Sequence, residues 1–127
     1  MEIDDPSTLA EVTALVERYE IALRDNDVEE LDAMFWQSGR AVRYGVGECL
    51  YGIEEILAFR KARPGGSPPR RISRMQITTF GRDLATANVE FQRIGGETIG
   101  RQSQTWVRLP EGWRIVAAHV SLQGSTH

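Results

Sequence analysis

Cysteine is almost missing from this 127-residue chain: Cys49 stands alone, which excludes an intrachain disulfide and a cysteine-built metal site. Histidine is nearly as scarce. With only His119 and the terminal His127, a multi-histidine metal site is excluded as well. Lysine is reduced to Lys61, so 14 of the 15 basic residues are arginine. No apolar run approaches the roughly 20 residues that cross a bilayer. The acidic opening Met1-Glu-Ile-Asp-Asp-Pro6 lacks the basic and apolar stretches of a secretory signal. A cytoplasmic protein without a membrane partner is expected. The net charge of −3 lacks the basic excess of a general nucleic-acid binder. Walker, Rossmann, His-Glu-x-x-His and Gly-x-Ser-x-Gly patterns are all absent.

What the chain does have is ordinary globular composition, enough length for one domain over residues 1–127, and a change of period halfway along. Thr8-Leu-Ala-Glu11 reads as a capping box that opens a helix just after Pro6. Leu9, Val12, Val16, Tyr19 and Leu23 follow as one apolar stripe. Asn26-Asp27 closes that helix, and Asp27-Val-Glu-Glu30 caps a second, which carries Leu31, Met34 and Phe35 inward and stops at Ser38-Gly39. Ala41–Gly45 reads as a short strand and Glu48–Tyr51 as its hairpin arm. Ile53–Arg63 is a third helix with Ile53, Ile56, Leu57 and Phe59 or Arg60 turned inward. The Pro64–Pro69 segment is expected to be a mobile loop. Beyond it, Arg70–Phe80, Leu84–Arg93, Glu97–Leu109 and Trp113–Leu122 read as four strands of an antiparallel meander. Helices first and sheet second predict α+β layer packing, with the chemistry in a cavity between bent sheet and long helix.

Polar groups on otherwise buried elements are the candidates for that chemistry. Tyr19 is either a core tyrosine with a satisfied hydroxyl or a proton donor to a leaving atom. Arg43, between Val42 and Tyr44, faces solvent or the cavity; if buried it needs an anion, because an uncompensated buried charge is costly. Gln102, Gln104 and Trp106 share one strand face, where the two amides would read a carboxylate or ureido group if the face is inner, or form ordinary interface or surface if it is outer. His119 and Ser121 are placed on the face of Ile115 and Ala117, the histidine being a core side chain or a site group. Gln102, Gln104, His119, Ser121 and Arg60 are the expected substrate contacts. Arginine suits the bidentate grip of planar anions, although codon usage produces the same bias. Asp25, Asp27, Glu29 and Glu30 read as caps and solvated helix ends.

Tyr19-Glu20, Ala33-Met-Phe-Trp36, Val42-Arg-Tyr-Gly45, Tyr51-Gly-Ile-Glu-Glu-Ile56, Gly100-Arg-Gln-Ser-Gln-Thr-Trp-Val107 and Gly112-Trp-Arg-Ile-Val-Ala-Ala-His-Val-Ser121 together carry a resemblance. The chain resembles the AtzH-like group, which includes HpxZ-type proteins of oxalurate catabolism, within the SnoaL-like and nuclear-transport-factor-like superfamily. The resemblance covers nearly the whole chain. It implies a cystatin-like cone, with three N-terminal helices on a curved, mainly antiparallel sheet. It also implies a homodimer through the outer sheet face and no cofactor. For the AtzH branch it implies a decarboxylating amidohydrolase that converts 1,3-dicarboxyurea to allophanate in cyanuric acid breakdown, with Tyr19 and Arg43 matching the catalytic pair. The alternative is a non-catalytic ligand-binding or accessory protein, partnered with an amidase of oxalurate or ureido-acid catabolism. Ketosteroid-isomerase-like cones resemble the chain around Val42–Gly47 but place a carboxylate base there; Arg43 and Tyr44 stand in that segment instead, which argues against proton abstraction from a neutral substrate.

Overall fold

The computed structural model describes residues 1–124; the expectation that His127 joins no metal site lies outside the described residues. Asp5 rather than Thr8 caps helix α1 (Pro6–Arg24). Its Oδ2 accepts from the Thr8 N–H at 3.1 Å and from the Thr8 hydroxyl at 2.8 Å. Pro6 sits in the first turn, where its missing N–H costs no helical bond. Val12, Val16 and Tyr19 are buried as expected, and Thr8 and Ala22 extend the stripe. Asp27 caps α2 (Val28–Ala33), accepting from the Glu30 N–H at 3.2 Å. Leu31, Met34 and Phe35 are buried beneath it.

Strands β1 (Val42–Tyr44) and β2 (Cys49–Tyr51) pair antiparallel, and α3 (Ile53–Lys61) follows, ending at Lys61 rather than Arg63. Then come β3 (Arg70–Phe80), β4 (Leu84–Arg93), β5 (Ile99–Leu109) and β6 (Gly112–Leu122), the expected meander. The six strands form one curved sheet in the order β2-β1-β6-β5-β4-β3. Among the paired strands of the described residues only β1 and β6 run parallel, and that pairing sets Arg43 beside Ala118 and Tyr44 beside His119. The core fills the space between helices and inner sheet face, with Val12, Val16, Phe35, Trp106 and Ile115 fully buried. Among the described residues no helix is long and apolar enough to cross a membrane.

One irregularity in this sheet corrects an expectation. Thr105 opposes Ala117 but Trp106 opposes Ile115, so Val116 is an extra residue on β6. A bulge of this kind reverses the alternation of faces. Ile115 and Ala118 are buried, whereas His119 is exposed. His119 therefore does not share the face of Ile115.

Candidate functional site

Between α1, α3 and the inner sheet face lies a cavity of about 440 Å³, within the range that encloses small ligands. Tyr19 reaches it because it belongs to the buried stripe of α1, and it is 4% exposed. The phenols of Tyr44 and Tyr51 hydrogen-bond each other at 2.8 Å; that of Tyr19 has no such partner among the described residues. Arg43 faces the cavity because its neighbour across the parallel ladder, Ala118, belongs to the buried face. Its Nη1 donates to Glu48 Oε1 at 3.0 Å, and its guanidinium carbon lies 5.5 Å from the centre of the Phe59 ring. Glu48 folds back over Gly45, where a Cβ would lie 1.6 Å from its Oε1. A carboxylate thus does reach the cavity, one residue past the segment that lacks it.

Four more arginines line the same hollow. Arg60 donates through Nε to Asp32 Oδ1 at 2.8 Å; burial outweighs this pairing and pushes the Asp32 carboxyl above its usual value. Arg70 pairs with Glu20, lies 4.4 Å above Phe91 and donates to Gln102 Oε1 at 3.1 Å. Phe91 can occupy its place because the residue opposite is Gly100, where any Cβ would meet the ring at 2.2 Å. Since guanidinium only donates, the Gln102 oxygen must face Arg70, which leaves its buried Nε2 unpartnered among the described residues. Arg63 and Arg93 also line the cavity, and among the described residues neither has a carboxylate within ion-pairing distance. Burial, then the nearby Arg43 guanidinium, holds Arg63 below the usual arginine value; Arg93 and Arg60 act in the same sense and Glu48 against it.

Of the residues expected at the site, Tyr19, Arg43, Arg60 and Gln102 come together here. Gln104 lies on the same face but in the core, accepting from the Trp106 indole N–H at 3.0 Å, and does not line the cavity. His119 and Ser121 do not line it either. The bulge at Val116 turns them outward, and His119 meets Tyr44 edge-to-face at 5.5 Å. Glu48, Arg63, Arg70 and Arg93 were not among the expected residues. A weak signal existed for the last two: Arg70 and Arg93 are the facing ends of adjacent strands, so one entering the cavity brings the other. Among the described residues no cluster of three His, Cys, Asp or Glu side chains has the arrangement to hold a metal ion.

The AtzH-like family profile matches residues 1–126. The chain belongs to the AtzH-like family. It is similar to a protein of unknown function from the DUF3225 family of Pectobacterium atrosepticum, with 56% identity over 96% of this chain and 95% of that one and a TM-score of 0.93. A cystatin-like fold protein from Burkholderia xenovorans shows 44% identity over 99% of both chains, with a TM-score of 0.93. A nuclear-transport-factor-2-like superfamily protein of Salmonella enterica shows 24% identity over 95% of this chain and 94% of that one, with a TM-score of 0.77, and bears on the fold alone. The fold is the cystatin-like, nuclear-transport-factor-like α+β arrangement. No curated protein matches the chain.

Proposed function

We propose that this AtzH-like protein is a decarboxylating amidohydrolase of small carboxylated ureas, taking 1,3-dicarboxyurea to allophanate. One observation carries this: a phenol from α1 and a guanidinium from β1 line the same cavity, whose wall holds more arginine than carboxylate. Tyr19 and Arg43 are the residues that match the family's catalytic pair. A planar carboxylate fits the guanidinium fork, so Arg43 is assigned to the terminal carboxylate and to the charge that develops beside it. The N–C bond to the departing carboxyl group then breaks, and its electron pair stays on nitrogen. Tyr19 supplies the proton that nitrogen needs, carbon dioxide leaves, and water restores the phenol. Atoms and charge balance with one proton taken from solvent.

The test is carbon dioxide release from freshly prepared dicarboxyurea, measured against buffer because the substrate decays spontaneously. Arg43→Ala and Tyr19→Phe should fold and lose roughly 10²-fold or more in rate, the usual cost of one preorganised donor. Wild-type turnover in Arg43→Ala removes that residue from the mechanism. A purified protein that binds the ligand without accelerating its decay supports the accessory role instead.

A further inference from the structure

Arg63 and Arg93 stand out because, among the described residues, neither forms an ion pair with a carboxylate. Arg43 has Glu48, Arg60 has Asp32 and Arg70 has Glu20, each with a guanidinium nitrogen close to a carboxylate oxygen. Their placement is unfavourable for the fold. Arg93 lies directly opposite Arg70 in the β3–β4 register, and both enter the same cavity, so two like charges are paired across the strands. Among the described residues the charges that bear on Arg63 are Arg43, Arg93 and Arg60, all of the same sign, and Glu48, which opposes them. Like charges held together in a concave wall attract an anion from solution.

We infer that Arg63 and Arg93 form a second anion-binding pole of the cavity, which takes the acid group remote from Arg43 and selects doubly charged ligands over singly charged ones. Phe59 sets the spacing. Its ring centre lies 5.5 Å from the Arg43 guanidinium carbon and 6.0 Å from that of Arg63, so the two carbons are separated by no more than the sum of those distances. A short dianion is enough to bridge guanidinium groups within that limit. Two acid groups joined through three atoms suit that span, whereas a ureido acid with one carboxylate leaves one pole unmatched. The second pole presupposes that the cavity is the substrate site, as proposed above. It also gives product release a cause, because removal of one carboxyl group empties one pole.

The experiment uses glutarate, a stable dianion with a three-atom link, and its monoamide, which has the same shape and one charge fewer. Calorimetric titration of the full chain should show glutarate binding at least about tenfold tighter, the scale of one charge-assisted contact. Arg63→Gln with Arg93→Gln should bring the ratio close to one, and Arg43→Gln should weaken both ligands. Arg93→Gln alone should also raise the melting temperature, since it removes the repulsion with Arg70; an arginine with a merely structural role would lower it. A wild-type ratio within about twofold, or a ratio unchanged in the double variant, overturns the second pole even if dicarboxyurea is turned over. A tenfold ratio abolished by the double variant upholds it even if no turnover is found.

Discussion

Arg43 meets Glu48 before it meets any ligand. Their side chains are 12% and 22% exposed, so the pair is largely withdrawn from water, and a carboxylate arriving at Arg43 must displace one already there. Removing one partner of a fully buried pair costs about 3–5 kcal/mol. Here the open cavity admits water to the remaining charge, and Glu48→Gln should cost about 1–3 kcal/mol in urea unfolding of the unliganded protein. The same substitution leaves Arg43 without its internal competitor, so a small carboxylate should bind several-fold tighter and restore the lost stability. Gly45→Ala should shift affinity in the same direction, because its Cβ would occupy the place of the Glu48 carboxylate without deleting it. Unchanged affinity in both variants would show that the ion pair does not compete with ligand. At this scale the sequence reveals which side chains are available, but not which way they turn. Tyr19 was legible from its stripe, whereas the orientation of Arg43 depended on Ala118, far along the chain. His119 and Ser121 were misplaced because one extra residue, Val116, reverses every position after it.

Elements were more legible than residues, since glycine, proline and aspartate mark their ends. Gly81-Arg-Asp83 and Pro110-Glu-Gly112 separate strands close to where the alternation ends. The start of α1 was misassigned for a specific reason. Asp5 and Thr8 are both good caps, and Pro6 decides between them because proline is at home in the first turn. The Thr8 hydroxyl first, and then the Thr8 N–H, hold the Asp5 carboxyl below its usual value. A folded-state pKa below the unfolded one means the cap contributes fully above the unfolded value and is lost as pH falls through the folded value. Asp5→Ala should therefore lower the melting temperature by a few degrees at neutral pH, and the gap between variant and wild type should narrow as the pH drops below about 4. Thermal unfolding followed by circular dichroism at both pH values checks this. A gap that persists undiminished in acid would mean that Asp5 does not act through its charge.

At the scale of the whole molecule, the decisive contacts join distant parts of the chain, and no local pattern announces them. β1 is only three residues long, yet its parallel pairing with β6 brings Arg43 to the cavity. Likewise, Glu20 on α1, Arg70 on β3 and Gln102 on β5 form one polar connection that fastens the long helix over the sheet. Arg70 is 8% exposed at its side chain and rests on Phe91, so only its cavity side can be reached by water if Glu20 is lost. Glu20→Gln should destabilise the fold by about 3 kcal/mol, mostly through the charge left behind rather than through the bond removed. Adding Arg70→Met removes that charge and fills the same space with apolar atoms, so the double variant should be more stable than Glu20→Gln alone. Urea unfolding of the two single variants and the double gives the coupling directly. If the double variant lost the sum of the single losses, the helix would be held by its apolar stripe alone and the Glu20–Arg70 pair would contribute nothing to the closure of the cavity.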